Sequence, residues 1–457
     1  MRTRRERPPV PVHAVAFGDA ARFWIKLGFI NFGGPTGQIA IMHQELVERR
    51  RWISNARFLH ALNYCMLLPG PEAQQLAIYV GWLLHRVKGG ILAGVAFVLP
   101  AFFLILGLSY VYVTYGDVDW VSAIFYGLRS AVIGLVAAAA MRIGQKALRN
   151  PLLFLIAAAA FVAIFLLHVP FPLIVLSAAL IGYVAGPIWP GTFLASSEHG
   201  LEDEGGPALS DDGSAGDHTR VSVARAAKVL AIGLVSWFGP LLLLALWRGD
   251  DTLTEQAWFF SKAAMVTFGG AYAVLAYINQ AAVTQFGWLA PGQMVTGLGL
   301  AESTPGPLIM VTEFVGFVGA YQHPGDLDPV VAGMLGAAVA TWATFTPCFL
   351  WIFLGAPFIE HLRGNRRLSS ALTSITAAIV GVVLNLAVWF AIHTIFERVR
   401  EVDLLGGPIP IPVLGSVDWF ALLIAMVTFV GLWRYRWNVV PVVLGSAIAG
   451  LVYGSIA

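Results

Sequence analysis

Apolar stretches long enough to cross a bilayer dominate this chain. A helix needs about 20 mostly apolar residues to traverse the hydrocarbon core. Ile91 to Val113, Val121 to Met141, Leu152 to Val169 and Leu173 to Ile188 come close to or exceed that length in the first part of the chain. Ala227 to Trp247, Val330 to Phe353, Leu372 to Ile395, Trp419 to Trp433 and Val439 to Ile456 are the apolar runs of the second part. Inside lipid every backbone N–H and C=O must be satisfied within the protein, and continuous runs of this kind do so as α-helices. Only 12% of the 457 residues are charged, about half of what a water-soluble chain carries. An ordinary cytosolic enzyme, a secreted domain and a disordered protein are therefore excluded. The expected fold class is an all-α polytopic membrane protein.

The formal net charge of +2 offers no basic field for nucleic acid. Cys65 and Cys348 are the only cysteines and lie far apart in sequence, which implies neither a disulfide framework nor a thiolate metal site. The segment Met1 to Arg7 is basic, but Asp19, Arg22 and Lys26 interrupt the stretch after it, so no cleaved signal peptide is expected. Between Pro190 and Thr219 apolar content falls, and Glu198, Glu202, Asp203, Glu204, Asp211, Asp212 and Asp217 cluster. That composition describes a solvated, flexible linker. The organisation read from these shifts is a basic cytoplasmic N-terminus (1–16), a first membrane repeat (17–189), an acidic linker (190–224) and a second membrane repeat (225–457).

The halves are copies of one another. Phe23 to Pro71 aligns without a gap on Phe259 to Pro307 at a constant offset of 236 residues. Lys26 falls on Lys262, Phe32-Gly33-Gly34 on Phe268-Gly269-Gly270, Gln44 on Gln280 and Trp52 on Trp288. Pro69-Gly70-Pro71 falls on Pro305-Gly306-Pro307. Chance similarity between apolar helices would match Leu and Ala, not this set.

Basic residues favour cytoplasmic loops, and their placement swaps between the copies. Arg49, Arg50 and Arg51 correspond to the uncharged Gln285, Phe286 and Gly287. Conversely Arg363, Arg366 and Arg367 follow the Val330 span, where the first half has Gly116-Asp117-Val118-Asp119. The Ala227 to Trp247 helix has no first-half partner and supplies the odd crossing that flips the second copy. The expectation is an inverted-topology repeat with the N-terminus and the linker in the cytoplasm, an architecture that places a substrate site near the midplane.

The FGG and PGP segments are the least hydrophobic parts of each half. Paired glycines weaken a helix, and a proline cannot donate the bond a continuing helix needs. Each motif is expected to interrupt a helix at membrane depth, and the short half-segments flanking FGG, with Arg49 to Arg51 returning to the side of the basic N-terminus, are expected to form a re-entrant hairpin. Interrupted backbone is tolerated there only in protein or beside a wet cavity. A half-helix N-terminus offers unpaired N–H groups and a partial positive charge, a natural site for an anion. The candidate substrate-binding residues are Lys26, Asn31, Gly33, Gly34, Gly70, Pro71 and Gln74 in the first copy. In the second they are Lys262, Thr267, Gly269, Gly270, Ser303, Thr304, Gly306 and Pro307. Glu302 is the candidate for proton coupling, because a carboxyl at membrane depth can cycle its charge; its first-half counterpart is Met66. Glu72, beside Pro71, is placed to occupy its helix dipole itself, and Arg129 within an apolar span needs a partner or a cavity. Histidines such as His43 and His168 show no ligand spacing, so neither a metal nor a cofactor is expected. No nucleotide-binding or catalytic motif is present, which points away from an enzyme or a primary pump.

These residues resemble the chromate ion transporter family in its long, two-domain form. The resemblance rests on Asn31-Phe32-Gly33-Gly34-Pro35, on Glu45 with Arg49-Arg50-Arg51-Trp52, and on Leu68-Pro69-Gly70-Pro71 followed by Gln74-Gln75-Leu76-Ala77. In the second copy it rests on Thr267-Phe268-Gly269-Gly270-Ala271-Tyr272, Gln280, Gly287-Trp288 and Leu300-Ala301-Glu302-Ser303-Thr304-Pro305-Gly306-Pro307. Ala271 stands where the first copy has Pro35, and the linker is longer and more acidic than a short loop. The resemblance implies a multi-pass inner-membrane carrier that exports chromate, driven by the proton gradient, and confers chromate resistance. Its partners would be chromate or a similar oxyanion, protons and the lipid bilayer, with a homodimer admitted and no nucleic acid. An anion site of this chemistry equally suits sulfate or molybdate, and a passive anion channel stays open as well.

Overall fold

The computed structural model describes residues 15–32, 34–193, 222–268, 270–356, 366–404 and 407–456. Most of the basic N-terminus and of the acidic linker, together with Gly33, Gly269 and Arg363, lie outside the described residues. The first half runs α1 (Phe17–Ile30), α2 (Gly34–His43), α3 (Asn55–Cys65), α4 (Glu72–Tyr115), α5 (Asp119–Ala147), α6 (Pro151–Phe165), α7 (Phe171–Ala185) and the short α8 (Pro190–Phe193). After α9 (Val223–Arg248) the second half repeats the order: α10 (Thr252–Met265), α11 (Ala271–Asn279), α12 (Pro291–Ser303), α13 (Val311–Gln322) and α14 (Pro329–Gly355). It closes with α15 (Arg366–Ile395), α16 (Trp419–Trp433) and α17 (Val439–Ile456). Between α15 and α16 a two-stranded antiparallel ribbon, β1 (Val399–Leu404) and β2 (Gly407–Pro412), adds a small element that the all-α expectation lacks.

Six described helices are long and apolar enough to cross a membrane: α4, α5, α9, α14, α15 and α17. Their outer faces carry the apolar side chains a bilayer solvates. On α9, Val235 is 71% and Leu246 84% exposed, a surface that water would not tolerate at this extent. The chain is a multi-pass helical membrane protein. As a single straight rod, the 44 residues of α4 would reach about 66 Å, twice the hydrocarbon thickness. His85 and Arg86 leave the helical region there, Arg86 with φ +54°. The chain reverses, and the parts before and after pack so closely that a β-carbon on Gly81 would meet the Gly89 carbonyl oxygen at 2.4 Å. In the second copy the same reversal is the loop between α13 and α14.

The repeat extends into local geometry. After α2, residues Gln44–Arg49 wind as a π-helix, and after α11 so do the equivalent Gln280–Gln285. Trp52 sits edge-on to Phe23, with the Arg50 guanidinium 5.0 Å from the Trp52 ring. At the equivalent place Trp288 sits edge-on to Phe259 and stacks on Phe286 at 4.5 Å. One aromatic wedge is thus built with a cation in one copy and a ring in the other.

The halves hold each other by exchanging their last helices. α5 of the first half packs on α16 and α17, while α15 of the second packs on α6 and α7. A β-carbon on Gly134 of α5 would lie 2.4 Å from the Ala425 carbonyl oxygen of α16, and one on Gly381 of α15 would lie 2.0 Å from that of Ala157 of α6. A β-carbon on Gly450 of α17 would lie 2.3 Å from the Ala123 carbonyl oxygen of α5, as would one on Gly182 of α7 from that of Ser370 of α15. The step in sequence from Gly134 to Gly381 equals that from Ala123 to Ser370, so these contacts are reciprocal and in register. Small residues let backbones approach this closely, the usual way helices associate in lipid.

Candidate functional site at the helix breaks

Both motifs interrupt helices. α1 ends at Ile30, and α2 begins at Gly34 with φ +63°; the second copy passes from α10 to α11 through Gly270 with φ +104°. Gly70 and Gly306 adopt φ +120° and +128°, values that L side chains rarely take. Pro71 and Pro307 cap the next helical segments from the position just outside them, rather than occupying their first turn, and Glu72 is the first residue of α4.

The four breaks are joined in two pairs by reciprocal backbone hydrogen bonds. The Gly70 N–H donates to the Thr267 carbonyl at 2.8 Å, and the Gly306 N–H donates to the Asn31 carbonyl at 3.0 Å. Each PGP break of one half therefore docks on the FGG break of the other. Space at the crossing is minimal. A β-carbon on Gly306 would sit 2.3 Å from that of Ala101, and one on Gly70 would sit 2.9 Å from the Cys348 sulfur.

Buried amides surround the crossing. Gln38 donates from Nε2 to the Gly306 carbonyl at 2.5 Å, and Gln75 donates from Nε2 to the Pro69 carbonyl at 2.7 Å. Asn31 is fully buried, yet neither its side-chain nitrogen nor its oxygen has a hydrogen-bond partner in the protein; nor do the amide oxygens of Gln38, Gln74 and Gln75. An unsatisfied buried polar group costs about 1–3 kcal/mol. A group of them beside broken helices is suited to a hydrophilic passenger that completes their bonds.

Other predicted residues are placed differently. The Thr267, Ser303 and Thr304 hydroxyls donate to carbonyls of their own helices, Ala263, Leu300 and Leu300 respectively. Lys26 and Lys262 are both exposed. Lys26 shares its face of α1 with the exposed Ile25 and Phe29, away from the buried Phe23, Trp24 and Leu27, so the two ammonium groups are not gathered at the breaks. Glu302 is 4% exposed and accepts a hydrogen bond from the Tyr272 hydroxyl. Glu313 on α13 is fully buried with neither carboxyl oxygen bonded within the protein. Arg129 of α5 donates from Nε to the Thr296 hydroxyl of α12 at 2.7 Å.

Gln38 and Tyr272 were not among the residues that sequence reasoning assigned to the site. The signal for Gln38 is an amide one helical turn past FGG; Tyr272 directly follows Gly270-Ala271 and lies thirty residues from its acidic partner, a distance no pattern bridges. Among the described residues no group of three or more His, Cys, Asp or Glu could hold a metal ion. A cavity of about 650 Å³ opens between α16 and α17, lined by Ile424, Arg436, Trp437 and Asn438 among others, and no residue of the breaks lines it.

Comparison with known proteins adds to this geometry. A family model described as chromate transporter matches residues 18–183 and 254–451, one span in each half. The chain is 29% identical over 431 residues to the chromate transport protein of Cupriavidus metallidurans, covering 94% of this chain and 91% of that protein. It is 31% identical over 433 residues to the chromate transport protein of Pseudomonas aeruginosa, covering 94% and 90%. With the probable chromate transport protein of Synechococcus elongatus it shares 29% identity over 82% of this chain and 84% of that one. No solved structure matches the chain.

Proposed function

The chain belongs to the chromate transporter family, and from that premise we propose that it is a secondary carrier exporting chromate from the cytoplasm across the inner membrane, coupled to protons, and thereby conferring chromate resistance. The observation that carries this reading is the reciprocal pair of hydrogen bonds between Gly70 and Thr267 and between Gly306 and Asn31. The four interrupted backbones then dock in two pairs, each joining one half to the other inside the protein, the only kind of place where such backbone is tolerated at membrane depth. In this reading the relation between the halves is a two-fold axis in the membrane plane, with the N-terminus and the acidic linker in the cytoplasm. The swap of Arg49 to Arg51 against Arg363, Arg366 and Arg367 supports that orientation.

Each element then has a task. The Asn31 amide and the N–H groups at the breaks other than those of Gly70 and Gly306, which already bond across the halves, bind the tetrahedral dianion; Gly34, Gly70, Gly270 and Gly306 let backbone approach it where a side chain would block it. Lys26 and Lys262, on exposed faces, add positive potential from a distance and draw the anion toward the protein. Glu302, held by the Tyr272 hydroxyl, takes up and releases the coupling proton. Donors and a positive dipole select for charge and shape, which chromate shares with sulfate, so sulfate is the competitor such a site admits.

The test is uptake of labelled chromate into proteoliposomes, with and without an imposed pH gradient and with competing sulfate. Flux that rises with the gradient is expected, and the degree to which sulfate competes measures selectivity. Flux indifferent to the gradient removes proton coupling and leaves an anion channel; absent chromate flux removes the chromate reading.

A further inference from the structure

The two copies differ most in the limbs between FGG and PGP, residues 34–65 and 271–303. The second limb is packed in. α11 lies against α15, and α12 lies against α5, α15 and α17. The first limb leans chiefly on α4. Burial follows this difference position by position. Ala276 is 3% exposed, but its counterpart Ala40 is exposed; Gly299 is buried, but Asn63 is exposed. Glu302 is 4% exposed and Met66 46%.

Sequence identity alone does not account for this, since Ala40 and Ala276 are the same residue in different surroundings. The exposed Asn63 amide favours water in front of the first limb, because an amide facing hydrocarbon costs several kcal/mol. Exposure on this face continues to Met66 at the end of α3, while Gly70 and Pro71 just beyond it are buried. On the other copy the same route is shut by α12, held by the Arg129–Thr296 bond and by Gly299, whose β-carbon would lie 3.1 Å from Val132 Cγ2.

We propose that the two limbs are a pair of alternating gates: the structure holds limb 34–65 open and limb 271–303 closed, and transport requires them to exchange these conformations. This deepens the reading of a central site, on which it rests, by naming the route into that site. The limbs occupy equivalent places in the two copies, so each displays the arrangement the other would adopt, and a ligand shifts the balance only as far as it binds one arrangement better than the other. The exchange also gives coupling a physical form, since Glu302 is sealed while the first gate is open and becomes reachable when the second opens.

The structure supplies the lock that tests this. A β-carbon on Gly299 would lie 3.6 Å from that of Leu128, inside the range of about 3.5–4.5 Å that a disulfide spans. In the Leu128→Cys/Gly299→Cys chain, oxidation is expected to pin the second gate shut and cut chromate flux about tenfold or more, because one of two required states is removed. Reduction restores it, and oxidised wild type is unaffected. Cross-linked protein that transports at the rate of reduced protein overturns the proposal. A second measurement does not depend on chromate being the substrate or on Gly299 tolerating change. Asn63→Cys is expected to react readily with a membrane-impermeant maleimide, and adding Arg129→Leu, which releases the second gate, should slow that reaction several-fold. Equal labelling with and without Arg129 overturns the gates even if chromate flux is found. Absent flux with coupled labelling overturns the substrate and leaves the gates standing.

Discussion

Gly306 and Gly34 are both glycines at positive φ, but only one of them is crowded. An alanine at Gly306 meets a backbone angle of +128° and a neighbour 2.3 Å from its β-carbon, whereas at Gly34 the angle is +63° and nothing lies within 4 Å. Gly306→Ala is expected to lower stability by about 1–3 kcal/mol from backbone strain alone, with further loss from the clash and no transport. Gly34→Ala should cost about 1–2 kcal/mol, the penalty of a left-handed angle for an L residue, and retain part of the flux. Thermal unfolding in detergent alongside proteoliposome flux separates the two. At Glu302, replacement by Gln keeps the volume and the contact with Tyr272 but removes the titrating proton. Chromate flux in Glu302→Gln is expected to continue down its own gradient and to lose its response to an imposed pH gradient; a retained response transfers coupling to another group, of which buried Glu313 is the next to examine.

At the scale of single elements, the aromatic wedge following each π-helical stretch anchors the limb to its first helix. Trp288 is 1% exposed and packed against the rings of Phe259, Phe260 and Phe286, while Trp52 is 8% exposed and shares its pocket with the Arg50 cation, which is paired with Glu45. Trp288→Ala should therefore cost about 3–5 kcal/mol, in the range for emptying a large buried site. Trp52→Ala should cost less, since Arg50 can relax toward water. Denaturant or thermal melts of the two variants decide the order, and a larger loss at Trp52 contradicts the asymmetry of burial. The Gly81–Gly89 contact shows another element-scale effect: a helix stretch that reads as one long apolar run becomes two because the pieces can lie against each other only through glycine.

The exchange of α6 and α7 for α16 and α17 makes the halves interdependent. Neither α5 nor α15 buries its glycine-lined faces within its own half. Cutting the chain inside the acidic linker is expected to give two fragments that are unstable apart and that assemble into an active carrier when made together. Co-purification from membranes with chromate flux as the readout checks this, and a first-half fragment that is monodisperse and fully folded alone contradicts it. The same interlock explains how small movements of a limb can be accommodated, because the long helices form a scaffold held independently of the gates.

Much of this molecule was legible in its residues. Apolar run length determined a helical membrane protein, since lipid leaves the backbone no other economical way to satisfy itself in such runs. The ungapped match of FGG, PGP, Lys, Gln and Trp determined the duplication and located the helix breaks, because glycine pairs and prolines act on the backbone locally, whatever surrounds them. Distance in space is a different matter. That Gly70 meets Thr267 while Gly306 meets Asn31, that Gln38 and Tyr272 join the site, and that Lys26 and Lys262 face outward depend on how helices far apart in sequence pack. The difference between the limbs could not be read at all from the alignment, for the same alanine is buried as Ala276 and exposed as Ala40. Local chemistry determined where the chain breaks; only the tertiary packing decided which breaks touch and which side of the site is open.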